Sequence, residues 1–78
     1  MRGIYMKTDK IEITSDYIPL GQFLKLAGIA DTGGQAKIIL LEAEITVNGE
    51  KENRRGRKLY PGDHVVIKGT GVFEIVAD

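Results

Sequence analysis

Pro19-Leu20-Gly21-Gln22-Phe23-Leu24-Lys25-Leu26-Ala27-Gly28, followed by Thr32-Gly33-Gly34-Gln35-Ala36-Lys37, reads as two short helices divided by a glycine stop. Pro19 suits the first turn of a helix, where its missing N–H is no loss. Leu20, Phe23, Leu24 and Ala27 recur at helical spacing, and Gly28 is well placed just past the end. The pattern predicts a first helix over Pro19 to Ala27. Thr32 and Gln35 then match the capping box Thr-x-x-Gln, which predicts a second helix from Gly33 to about Glu42. Gly33 and Gly34 in its first turn lower helix propensity by about 1 kcal/mol each relative to alanine. That penalty points either to tight crossing by the first helix or to close approach of a ligand.

Moving toward the C-terminus, Asn48-Gly49 sits between Ile45-Thr46-Val47 and Glu50-Lys51-Glu52. This is a strong hairpin signal, because a type I′ turn needs positive φ at both central residues. Pro61-Gly62 fits the central positions of a type II turn. His64 to Lys68 reads as the next strand, and Gly69-Thr70-Gly71 turns the chain into a last strand, Val72 to Val76. Toward the N-terminus, Ile4-Tyr5-Met6 and the alternating Lys10-Ile11-Glu12-Ile13-Thr14 also read as strand, interrupted at Thr8-Asp9. The expected class is α+β: two short helices packed on a small, mainly antiparallel sheet that the terminal strands extend.

At 78 residues the chain is expected to form one domain over 1–78. A chain of this size buries only about 60% of its unfolded surface, so the core is thin. With no cysteine, neither a disulfide nor a thiolate metal site can reinforce it. That composition fits a reducing cytoplasm. No apolar run approaches the roughly 18–20 residues of a membrane span, and the start lacks the apolar stretch of a secretory signal. The expectation is a soluble cytoplasmic protein with no membrane partner.

Charge is neutral overall, with eleven Lys and Arg against eleven Asp and Glu. The distribution is uneven. Lys51, Arg54, Arg55, Arg57 and Lys58 face one acid, Glu52, a local excess of four on a stretch that two turns should expose. Exposed charges act over about 8–10 Å, so local density outweighs the chain total.

In this order the motifs resemble the S4 RNA-binding domain. The resemblance covers about fifty residues of the chain, with a core motif at about 19–69. It is carried by Phe23-Leu24-Lys25, Gly28, Gln35-Ala36-Lys37, Val47-Asn48-Gly49 and Pro61-Gly62-Asp63. The wording Gly33-Gly34-Gln35-Ala36-Lys37, with Asn53-Arg54-Arg55-Gly56-Arg57-Lys58 after the hairpin, is similar to small free-standing bacterial members, some implicated in ribosome maturation. The resemblance implies an RNA partner, with structured ribosomal RNA foremost, and a possible protein partner in ribosome assembly. It carries RNA contacts onto Lys25, Gln35 and Lys37. The chain departs from the common pattern where many members have arginine at the start of helix one, here Pro19. It departs again where many read Ser-Arg at the start of helix two, here Thr32-Gly33 after Asp31. The basic load is moved to Arg54, Arg55, Arg57 and Lys58.

Each candidate has an ordinary reading beside the functional one. Guanidinium groups suit phosphates through paired hydrogen bonds and counterion release, but a charge run also serves as a solvated turn. Gly56 would let that loop lie close to a backbone. The free amides at Gly33 and Gly34, with Gln35 and Lys37, suit an anion, unless Thr32 and Gln35 cap them internally. Lys25, two positions past Phe23 and so off the buried face of helix one, joins the same surface or stays solvated, while Lys51 counts with the basic run. Tyr17 and Tyr60 could stack on bases, but packing at the edge of a thin core is the simpler expectation. Phe23 and Phe73 belong to the core.

One histidine and no cysteine exclude a His/Cys metal cluster within the chain. Asp63-His64 lacks a nucleophile, Ser15 lacks a Gly-x-Ser-x-Gly context, and no cofactor motif appears. The expectation is a non-catalytic RNA-binding module, with a protein-interaction adaptor as the alternative because Ile38 to Leu41 are apolar around more than one face. The RNA reading requires distant cations to converge on one side. Carboxylates interleaved among them would undercut it.

Overall fold

A computed structural model of the protein describes residues 7–78. The elements run β1 (Thr8–Ile13), β2 (Ile18–Pro19), α1 (Leu20–Leu26), α2 (Gly33–Glu42), β3 (Ile45–Val47), β4 (Glu50–Lys51), β5 (Lys58–Leu59), β6 (His64–Ile67) and β7 (Gly71–Ala77). Five strands form one sheet in the order β1-β7-β6-β3-β4, and β2 pairs with β5 in a separate two-stranded ladder. The main sheet is antiparallel except where β1 runs parallel to β7. This is the expected α+β class, extended by the terminal strands.

Strand alternation decides which face the helices cover. Ile45 and Val47 of β3, Val65 and Ile67 of β6, and Phe73 and Ile75 of β7 are buried on one face. Leu20, Phe23 and Leu24 of α1 and Ala36 and Leu40 of α2 close over them. Phe23 meets Phe73 edge-on, with centroids 5.5 Å apart at 79°, and so joins helix to sheet. Such pairs add about 0.5–1.5 kcal/mol beyond the area they bury.

The turns follow their residues. Asn48 and Gly49 both have positive φ, 53° and 87°, as a type I′ turn requires. Gly62 has φ 97°, and the Asp63 amide donates to the Tyr60 carbonyl across the second turn. The two turns are tied together. Asp63 accepts from the Asn48 side-chain amide through Oδ1 (3.0 Å) and from the Tyr60 amide through Oδ2 (2.8 Å). Asn48 Oδ1 in turn accepts from the His64 amide at 2.9 Å.

Three expectations need correction. Thr8 and Asp9 do not interrupt a strand; they pair with Val72 and Phe73 in the parallel ladder. That long-range partner overrides their weak local preference. Pro19 is not in the first helical turn but stands before it, with φ −65° and ψ 146°, and pairs with Lys58 in β2. Its locked φ suits extended backbone as well as helix. Ala27 likewise caps α1 rather than belonging to it, and Gly28 follows at φ 77°. The strand expected at Ile4-Tyr5-Met6 lies outside the described residues.

Candidate nucleic-acid interface

The basic run between β4 and β5 is organised by its one acid. Glu52 accepts hydrogen bonds from Arg54 Nε (2.9 Å), Arg54 Nη2 (3.0 Å) and Arg57 Nη1 (2.9 Å). The Arg54 backbone amide adds a fourth at 3.0 Å. Only 7% of the Glu52 side chain is exposed, whereas that of Arg54 is 73% exposed. Hydrogen bonding from Arg54 is the largest cause holding the Glu52 carboxyl at about 2, far below the usual carboxylate range. The same pairing raises the Arg54 guanidinium further above its ordinary value. The run therefore does not present its arginines as one free cluster. A carboxylate sits between two of them, the interleaving that was expected to undercut a phosphate-binding cluster, and it takes Arg54 and Arg57 out of the count of free cations.

This loop is fastened to the start of α1. Pro19 has no side-chain acceptor to offer the first helical amides. Instead the Arg57 carbonyl accepts from the Leu20 amide (2.8 Å) and the Arg55 carbonyl from the Gly21 amide (2.9 Å). Backbone from the basic loop thus does the work of an N-cap. The Arg55 side chain then lies across Gly21, in space that any Cβ there would occupy.

Between the loop and the two helices runs an open groove of about 290 Å³. Pro19, Gly21, Gln22 and Lys25 line one side; Arg55 and Gly56 lie on the loop side, and Gly33 and Ala36 on α2. Lys25, Gly33, Arg55 and Gly56 are therefore brought together, although up to thirty residues of sequence separate Lys25 from Arg55. Arg54 and Arg57 stand beside them, tied to Glu52. Lys37 is exposed on α2, one turn beyond Gly33, and does not line the groove. Lys51 is not brought there; it lines a separate cleft with Leu41, Glu44 and Glu52. Lys58 points elsewhere again, its ammonium 4.9 Å from the centre of the Tyr17 ring.

At the start of α2, Thr32 Oγ1 accepts from the Gln35 amide at 3.1 Å, as the capping box predicts. The reciprocal bond is displaced by one residue: Gln35 Oε1 accepts from the Asp31 amide at 2.6 Å, not from Thr32. Tight crossing by α1 does not account for the two glycines. A Cβ on Gly33 would meet nothing within 4 Å, and one on Gly34 only Thr32 Oγ1 at 4.0 Å.

The residues that sequence reading missed are Glu52, Gly21 and Gln22. The spacing Glu-x-Arg-x-x-Arg is a short-range signal for the first. Nothing local marks the other two, because the loop that gives them meaning lies thirty residues on. Asp63, considered beside His64, spends both carboxylate oxygens on the clasp between turns.

A helix pair, its first member capped by the basic loop, laid over a hairpin-based sheet defines a small domain of the S4 type. The family model described as S4 domain matches residues 11–76, and the chain belongs to that family. It is 56% identical over 66 residues to a Bacillus subtilis (strain 168) protein named probable ribosome maturation protein RlbA, covering 85% of this chain and 93% of that one. It is 36% identical over 61 residues to a protein of Escherichia coli (strain K12) named putative RNA-binding protein YbcJ, covering 78% and 86% respectively. Among the described residues no helix is long and apolar enough to cross a membrane.

Proposed function

We propose that this protein binds structured RNA without catalysing a reaction on it, and that in the cytoplasm it acts on ribosomal RNA during ribosome assembly. One observation carries the reading: Lys25 and Arg55 converge on an open groove whose other lining includes Gly33 and Gly56. Two cations at an open channel beside small residues suit a phosphate backbone, which needs charge and close approach together. Family membership and the names of the two relatives support the same direction. Arg55 and Lys25 take the central phosphate. Arg54 and Arg57 flank it, their guanidinium planes preset by Glu52. Gly33, Gly34, Gln35 and Lys37 extend the contact along α2, and Lys51 and Lys58 add weaker attraction at the periphery. Backbone shape is read more than base sequence, since side chains reach few base edges in A-form RNA.

Filter-binding titrations of a ribosomal RNA fragment across a salt series test this. Replacing Arg54, Arg55 and Arg57 together with alanine should weaken binding and flatten the dependence of log K on log salt. Every phosphate that is no longer neutralised should lower the slope by roughly 0.7–0.9. Unchanged affinity and slope would remove the proposal.

A second reading has its own observation. Ile38 and Leu41 are 55% and 73% exposed, one turn apart on α2, and Leu41 borders the cleft shared with Lys51. An exposed apolar strip of this kind suits a protein partner in assembly. Ile38→Glu with Leu41→Glu would abolish such a contact and leave RNA affinity intact.

A further inference from the structure

Tyr17 and Tyr60 do not settle into the core edge. They are 38% and 48% exposed, with ring centroids 5.9 Å apart and planes tilted by 46°. The cause lies in the β2–β5 ladder, where Ile18 faces Leu59 and Pro19 faces Lys58. One residue beyond, Tyr17 faces Tyr60. Residues opposite each other in an antiparallel pair project to the same side, and side alternates along each strand. Leu59, fully buried, and Ile18, half-buried, thus turn inward. Tyr17, Pro19, Lys58 and Tyr60 turn outward together. Both tyrosines are held at the backbone: the Tyr17 carbonyl accepts from the Ser15 hydroxyl (2.8 Å), and the Tyr60 amide donates to Asp63. Lys58 Nζ lies over the Tyr17 ring. Pro19 belongs to this face and also lines the groove of Lys25 and Arg55, so the two surfaces are continuous.

We infer that Tyr17, Tyr60 and Lys58 form a stacking platform for unpaired nucleotides of an RNA whose paired portion occupies the groove. The inference rests on the RNA-binding reading above and names the part of the ligand that reading leaves open. Aromatic rings with a mobile cation to hand accept any nucleotide: every base has a π-face, and Lys58 can leave the Tyr17 ring for the nucleotide's phosphate as the base takes its place. The platform takes single-stranded nucleotides flanking a helix, since bases inside a duplex are already stacked on one another.

The test compares a short RNA hairpin carrying an unpaired adenosine tail with the same hairpin blunt-ended. The wild-type protein should bind the tailed hairpin about tenfold more tightly. Tyr17→Leu with Tyr60→Leu should erase that preference and leave affinity for the blunt hairpin unchanged. Tyr17→Phe with Tyr60→Phe keeps the rings and should keep the preference. The chain contains no tryptophan and three tyrosines, so Tyr5→Phe leaves Tyr17 and Tyr60 as sole emitters. Their fluorescence should be quenched by the tailed hairpin and not by the blunt one. Equal binding of both hairpins by the wild type, or a preference that survives in the leucine variant, overturns the platform while the groove reading stands. If the wild type binds neither hairpin, both fall.

Discussion

Gly21 lies under Arg55: a Cβ at position 21 would overlap Arg55 Cγ and fall 3.1 Å from Cδ. The same two residues share a backbone hydrogen bond, 2.9 Å from the Gly21 amide to the Arg55 carbonyl. Helix start and basic loop are thus one unit, and the missing side chain of Gly21 lets the arginine reach the groove. Gly21→Ala should displace the Arg55 side chain and strain the junction. Overpacking of this kind costs about 1–3 kcal/mol, to be read from urea unfolding. The accompanying loss of RNA affinity should match that of Arg55→Ala.

Gly33 and Gly34 should behave in the opposite sense. A Cβ at Gly33 meets open space, so alanine there relieves a helix penalty without a clash. Gly33→Ala should leave stability unchanged or raise it by up to about 1 kcal/mol. If RNA backbone approaches the helix start closely, the same variant binds more weakly. Thermal unfolding and binding measured on one preparation separate the two effects. A variant that is more stable and binds as well as wild type would take Gly33 out of the interface.

Acid should loosen the basic loop through Glu52. Its carboxyl is held at about 2 in the folded protein, against an ordinary value of 4.5. A depressed pKa gives stability that is fully present above the unfolded value and is lost as pH falls through the folded one. The window is therefore from about pH 4.5 down to about 2. Glu52→Gln should be less stable than wild type at neutral pH and show a flatter stability curve across that window. Urea midpoints followed by circular dichroism at successive pH values give the comparison.

Asn48 carries both a backbone and a side-chain duty. Its φ of 53° is unfavourable for most residues, and its amide links Asp63 to the His64 amide. Asn48→Ala loses both and should cost about 1–3 kcal/mol. Asn48→Gly relaxes the backbone and loses only the clasp, so its cost should fall between alanine and wild type. Chemical denaturation of the three proteins decides this, and equal costs for both variants would mean that positive φ contributes nothing.

Much of the architecture was legible because its signals are local. The start of α2 follows from the capping pair Thr32 and Gln35, and both turns follow from Asn48-Gly49 and Pro61-Gly62, which contain residues tolerant of the positive φ values adopted. Where long-range pairing competes with a local cue, the cue misleads. Pro19 reads as a helix start, yet its partner across the β2–β5 ladder is Lys58. The site was less legible for the same reason. Charge counting located the basic run but treated Glu52 as one unit subtracted from five. In three dimensions that carboxylate holds Arg54 and Arg57 and leaves Arg55 to face the groove.

From its order of residues alone, this protein was committed to two short helices, the second with its own cap at Thr32, two tight turns and a basic loop, since these signals lie within a few positions along the chain. Only the folded arrangement decided that Arg55 would lie on Gly21 and share a groove with Lys25. The same holds for the two tyrosines, which turned outward together. Those relationships join segments thirty or more residues apart: the first exists because α1 lacks a cap of its own and takes the loop's carbonyls instead, the second because β2 pairs with β5.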